Sequence, residues 1–426
     1  MLGKGLRWSS VIVLTSIGAA CAGGGGRGSQ DTWQAVVDTV GDTITVRTIA
    51  GSVWGDTASL EPRLSIGVLE GSDEYLIGDP RAIAVGREGQ IYLLDRQVPV
   101  VRVYAADGTH LRDIGRKGGG PGEYQNPDGM AILPDGRLLV RDPANARVAV
   151  FAPDGEYLEQ WWLRGSFNTS RRFYVDTAGN SYASTLLRND VPVTEWEFGL
   201  ARYGPDGTIV DTIAAPIWDY KAPEVVASRE GSSSVSGVPF SPQPEWTFSP
   251  LGYMVGGLST DYRVDLFRVG RPVLRIEREW VPVAVKPEEA EERERRQTVQ
   301  FQRDFGSWSW NGPPIPDTKP PFRNLFVSAE GNVWVLVSQE GRATMTLAEA
   351  REEEQRTHVP PLRFQEPEAY DVFAPDGEFL GHVRIPESFR SRPEPIVRGD
   401  TVWAVTRDEL DVPRIVRFEI VHPETR

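Results

Sequence analysis

The sequence predicts an all-β fold, a six-bladed β-propeller whose N-terminal strand completes the last blade. Two interleaved hairpin repeats and one half-repeat predict it. Residues 104–111, 151–158, 203–210 and 373–380 are near copies, each an aromatic-ended strand, an Asp-Gly turn and a second strand. Asp-Gly is expected to supply the positive φ angles of a short hairpin turn. Out of phase with these runs a second unit of two short apolar strands around a glycine turn. It is clear at Gly89, Gly136, Gly331 and Gly399 and weaker at Gly179 and Gly252. Runs such as Val333-Trp334-Val335-Leu336 suit a pleated, buried surface. Joined in order, the two hairpins make strands a, b, c and d of one blade, and their recurrence marks a radial array.

The units fall at about 81–113, 128–161, 172–213, 247–276 and 323–384, with a sixth beginning near Pro395. The sixth ends after strand c, at 414–420. The missing strand d is expected from the N-terminus, because Leu64-Ser65-Ile66-Gly67 matches the exit of the first blade at 111–115. A ring closed this way leaves no long open sheet edge.

Residues 114–127, with Asp135-Gly136 and the stretch Arg141-Asp142 to Phe151, resemble an NHL-type repeat. Over residues 60–426 the chain resembles bacterial six-bladed β-propeller lipoproteins. That resemblance implies a propeller with a funnel along its axis.

The first residues read as an address. Lys4 and Arg7 precede a short apolar run and then Gly18-Ala19-Ala20-Cys21, so residues 1–20 read as a secretory signal peptide. Cys21, the one cysteine of the chain, is the expected lipidation site, with 21–31 as a flexible tether and 32–60 as an N-terminal extension. The propeller itself is assigned to 61–426. The implied product is an exported monomer, lipid-anchored at the bacterial outer membrane, with the membrane reached through the lipid alone. A net charge of −14 without a basic cluster argues against nucleic acid.

Strand polarity puts the a–b and c–d turns on one rim and the b–c loops and d-to-a links on the other. The turns are short throughout. The insertions 214–246, 277–322 and 339–368, and the shorter 187–197, therefore share one face. Insertions gathered on one face mark a binding face. Two are expected to be helical: one opens at Pro287, with pairs Glu289–Arg293, Glu291–Arg295 and Glu292–Arg296, and one has a capping box at Thr346/Glu349. The serine-rich segment 231–238 reads as a flexible rim loop. Phe301, Phe305, Trp308 and Trp310 are expected to contact the ring, where they either touch a ligand or only seal the cap.

Near the axis on that rim the repeat places Arg81, Arg96, Arg141, Arg172 and Arg323. With Trp308 and Trp310 these are the candidate ligand-binding residues, since guanidinium forks pair with carboxylate, phosphate or sulfate. The partner class is a peptide, glycan or protein of the envelope. No cofactor is required. The alternative is a metal-assisted hydrolase or lyase, lactonase-like, acting on a small anionic substrate. One divalent cation such as calcium would then sit on Asp95, Asp142 and Asp261. Against these roles, an Asp after strand b commonly ties down its own loop. His110, His358, His382 and His422 are too dispersed for a zinc site of the kind that NHL-like amidating lyases use. Catalytic residues are not assigned, and a binding scaffold is the preferred reading.

Overall fold

The computed structural model describes residues 33–422 apart from 56, 166–168, 170–171, 189 and 192–195. The signal peptide, Cys21 and the tether lie outside the described residues, as does part of 187–197.

Six antiparallel sheets follow one another along the chain. Blade 1 comprises Pro80–Val85, Ile91–Asp95, Val100–Tyr104 and His110–Ile114. Blade 2 runs from Gly129–Ile132 to Tyr157–Trp162, and blade 3 from Phe173–Val175 to Ile209–Ala214. Blade 4 runs from Pro244–Ser249 to Val273–Arg278, and blade 5 from Phe322–Val327 to Phe379–Arg384. Blade 6 has Ile396–Arg398, Thr401–Arg407 and Pro413–Val421, and its fourth strand is Ala58–Ile66. Ser59 pairs with Val421 and Ile66 with Ile415, so the two ends of the chain close the ring. The closure is sealed at the inner strands, where the Arg398 guanidinium donates to the Gly86 and Val85 carbonyls of blade 1.

The strand patterns follow from this geometry. Strands b and c of blade 1 are buried at every position, being covered on both faces by neighbouring blades, and so read as continuous apolar runs. The outer strand His110–Ile114 alternates, with its exposed side in solvent. Six apolar clusters fill the six blade junctions. One example packs Ile66, Tyr104 and Val405 between blades 6 and 1. No blade has a core of its own, and stability comes from the junctions.

The turns depart from expectation in one respect. Gly108, Gly136, Gly155, Gly207 and Gly377 have positive φ, but the aspartates before them do not. Gly108 donates to Ala105 and Ala105 to Thr109, a type I turn closed by a glycine bulge. Asp107 instead accepts from the amide of Thr109 at 3.0 Å, and Asp135, Asp154, Asp206 and Asp376 repeat that bond.

The N-terminal extension is a hairpin, Gln34–Val40 and Thr43–Ala50, whose second strand runs parallel to Val273–Arg278 and widens blade 4 to six strands. The closing strand also pairs in parallel with blade 5 through Ala58 and Ser59. It thus begins before the boundary expected at 61.

Candidate functional site

The insertions form one cap. Link 214–246 folds into the hairpin Glu224–Arg229 and Ser232–Gly237, link 277–322 into α1 (Pro287–Phe305), and loop 339–368 into α2 (Leu347–Thr357). The serine-rich segment is therefore a paired strand. Ser232 and Ser233 are exposed, Ser234 and Ser236 are half-buried, and Ser236 Oγ donates to Gln297 Oε1 of α1 at 3.1 Å. The capping box at Thr346 and Glu349 is present. The three i,i+4 pairs expected along α1 give way to longer-range partners. Arg295 pairs with Glu354 of α2 at 2.5 Å, Glu292 with Arg363, and Glu289 with Lys319 at 2.8 Å. Lys319 is wholly buried and also meets Glu366 at 3.2 Å and the Gln339 carbonyl at 3.1 Å, which ties α1 to the segment entering blade 5 and to the base of loop 339–368.

Trp308 and Trp310 pack within the cap itself. With Phe301 and Phe305 they pack on Val225, Ala227 and Val238 of the hairpin, forming the cap's own small core. Trp308 Nε1 donates to the Val226 carbonyl and Trp310 Nε1 to that of Pro313. Their aromatic surface is needed to hold the cap together, and the sequence did not show that the hairpin exists to receive it.

Asp95, Asp142 and Asp261 do not converge. Asp95 is fully buried and accepts from the amides of Gly78, Asp79 and Gln97 and from Arg102 at 2.8 Å. Asp142 accepts from the amides of Gln125 and Asn126 and from Asn145 Nδ2. Each fastens the link entering its own blade. Asp261 is exposed and accepts from Thr260 Oγ1. Among the described residues no three His, Cys, Asp or Glu side chains are grouped to hold a metal ion.

Of the arginines, Arg81 and Arg96 converge on Asp79 at 2.7 and 2.8 Å. Arg141 is buried, bonded to Asp128 at 2.5 Å and Thr169 at 2.7 Å. Arg172 lies at the axis, where it reaches four blades. Starting blade 3, it donates to the Trp246 carbonyl of blade 4 and to Asn324 of blade 5, and pairs with Glu394 of blade 6 at 3.0 Å. Around it burial pushes Glu394 and Glu368 up from the usual glutamate value, and pushes Glu245 up to about 7 against the pull of Arg172 and Arg392. The Tyr370 hydroxyl, buried beside them, has no hydrogen-bond partner among the described residues.

Arg323 belongs to a different environment. It lines a pocket of about 420 Å³ between the cap and the ring. The walls are the hairpin, α1 through Arg293, Arg296, Gln297 and Gln300, and the rim of blade 5 through Ser338 and Glu366. Residues 293, 296, 297 and 300 share one helix face, a stripe visible in the sequence but read there only as charge pairing along the helix. Ser241 and Ser338 carried no sequence signal, since their role depends on which loops the ring brings together.

The fold and this site define a capped six-bladed β-propeller. The family model DUF5128, a 6-bladed beta-propeller, matches residues 65–133, blade 1 and the entry to blade 2. No curated protein matches the sequence. Among solved structures, a DUF4221 family member from Bacteroides vulgatus is similar at 9% identity and TM-score 0.50, covering 86% of this chain and 99% of its own. A protein from Bacteroides fragilis is similar at 11% identity and TM-score 0.45, covering 85% and 95%. Virginiamycin B lyase from Staphylococcus aureus follows at 10% identity and TM-score 0.38, covering 80% and 95%. At these identities the likeness concerns the fold alone.

Proposed function

We propose that the protein is an exported binding propeller, held to the bacterial outer membrane by a lipid on Cys21, that takes a ligand or envelope partner on its capped face. The observation that carries this reading is the interlocking of three separate insertions into one cap over a polar pocket. Decoration without a role would leave each insertion on its own blade. Here α1 bonds the hairpin, α2 and the segment leading into blade 5 at once. Sites of this kind, concave and of about 300–1,000 Å³ with a few converging polar groups, are where small ligands bind. The protein acts as a monomer in this reading, and chemistry at the funnel is not part of it.

The test is to express the full chain with its leader in a Gram-negative host, extract it from the envelope and examine it by native mass spectrometry. The reading expects a lipid-modified mass that shifts to an unmodified one in Cys21→Ser, and a small molecule or protein co-purifying in stoichiometric amount. It fails if nothing is recovered and if substitutions in the cap pocket change no bound species. A stoichiometric divalent metal with turnover of a lactone would replace it with the enzyme alternative.

A further inference from the structure

The cap pocket differs from the rest of the rim in what its polar groups lack. Elsewhere Arg81 and Arg96 meet a carboxylate, that of Asp79. In the pocket, Arg293 has no hydrogen bond or ion pair among the described residues. Its guanidinium lies 5.4 Å from the centre of the Phe240 ring and is otherwise open to the cavity. Arg323 comes no closer than 3.5 Å to Glu366, an ion pair without a hydrogen bond, and its buried Nε and Nη2 have no acceptor. The hydroxyls of Ser241 and Ser338, residues only 5% and 1% exposed, are unpartnered and line the same cavity. Arg296 uses one Nη1 on the Pro360 carbonyl.

Charge points the same way. The carboxylate in the wall, Glu366, is already engaged by the buried Lys319, as is Glu289 behind it. Three guanidiniums therefore crowd the cavity with positive charge in excess. Arg293 is held below the usual arginine value chiefly by burial, against the pull of Glu289 and Glu366, with Arg323 and Arg296 adding to the lowering. Unmet donors in a native protein need an explanation, because each costs the desolvation that a partner would have offset. Donors of fixed fork geometry, two buried hydroxyls in the same wall and surplus positive charge all fit a single kind of occupant.

We infer that the cap pocket is a binding site for an anionic group, a carboxylate or phosphate of a small organic ligand, gripped by Arg293, Arg323 and Arg296 and by the hydroxyls of Ser241 and Ser338. The inference rests on the proposed binding role of this face and names the chemistry of the ligand. Phe240 and Leu362, also in the wall, give the pocket an apolar side for the ligand's body.

The experiment is isothermal titration of the full mature protein, at low ionic strength, with inorganic phosphate and with citrate as separate probes. Arg293→Gln, Arg323→Gln and the double variant Ser241→Ala/Ser338→Ala are compared with the wild type. Saturable binding of at least one probe is expected, weakened about tenfold or more in each arginine variant, as the loss of a charge-assisted bond requires. A preference for phosphate over citrate, or the reverse, identifies which anion the site favours. Without anion, Arg293→Gln should melt at or above the wild-type temperature, because it relieves the burial of a charge and breaks no hydrogen bond or ion pair. That combination, higher intrinsic stability with weaker anion binding, is one a merely structural arginine cannot give. Absence of saturable binding, or equal binding in all variants, overturns the inference. If a neutral molecule then co-purifies from the envelope, the broader binding role survives its failure.

Discussion

Lys319 is the sharpest test of how the cap is attached. Its ammonium is buried with Glu289 at 2.8 Å, Glu366 at 3.2 Å and the Gln339 carbonyl at 3.1 Å. Lys319→Met keeps the apolar stem and removes all three bonds. Glu366 would retain the Gln339 amide at 3.1 Å and the ion pair with Arg323. Glu289, 1% exposed and with its second oxygen already unpartnered, would be left as a bare buried charge. Breaking a buried pair from one side costs about 3–5 kcal/mol. Most of that should arise at Glu289, so adding Glu289→Gln should return about 2 kcal/mol. Hydrogen exchange read by mass spectrometry locates the effect: in Lys319→Met, α1 and the hairpin at 224–237 should lose protection while blades 1 and 2 keep theirs. A cost below about 1 kcal/mol, unchanged protection in α1, or a double variant worse than the single would refute this attachment.

Further outcomes follow from the junctions and turns. Asp371 ties blades 4 and 5, accepting from Tyr262 at 2.5 Å and Arg278 at 2.6 Å, with His382 Nδ1 at 2.5 Å. Burial would raise its carboxyl, but His382, Arg278 and Tyr262 outweigh it and hold it below the usual aspartate value. A depressed native value stabilises above the unfolded one and is lost as pH falls through the native one. Asp371→Asn should therefore cost about 3 kcal/mol at pH 7 in urea unfolding, with the gap narrowing below about pH 4. Glu245 has the opposite sign, since burial pushes it up to about 7. Stability should fall as pH rises from about 4 to about 7, and Glu245→Gln should remove roughly 1–3 kcal/mol of that fall in melts across pH. At Gly207, with φ +77°, a Cβ would meet the Trp161 indole at 2.3 Å, whereas at Gly41, with φ +58°, it would meet nothing within 4 Å. Gly207→Ala should cost about 3 kcal/mol and Gly41→Ala about 1 kcal/mol in urea unfolding.

The ring was legible because its determinants are local and repeated. Each blade carries its own Gly turn, and most carry an aromatic strand end, so one copy can be checked against the next. The N-terminal closure was legible for the same reason, since 64–67 copies 111–115. Asp107 and its equivalents were assigned to the right turns for the wrong reason: sequence shows Asp-Gly, but only the backbone shows that glycine alone carries the positive φ. The site was much less legible. Arg141 and Arg323 look equivalent in sequence, each beside the inner strands. One is neutralised by Asp128 from the preceding link, while the other faces a cavity made by three distant insertions. For Trp308 and Trp310 the choice between touching a ligand and sealing the cap stayed open in the sequence because their hairpin partner, 224–237, reads as a polar serine loop. Which charge meets which is decided by non-local contacts that no repeat encodes.

Closure of the ring by the N-terminal strand fixes the strand polarity, the capped rim and the pocket together. Glu61 and Glu419 are cross-strand partners on the exposed side of that strand, bridged by Arg63 at 3.0 and 2.7 Å. In a Cys21→Ser background, Glu61→Cys/Glu419→Cys should oxidise to an internal disulfide, visible by gel mobility without reductant, and raise unfolding stability by up to about 4–5 kcal/mol. Two thiols that stay free under mild oxidation in the folded protein would mean that the strand lies elsewhere, and the assignment of the capped face would fall with it.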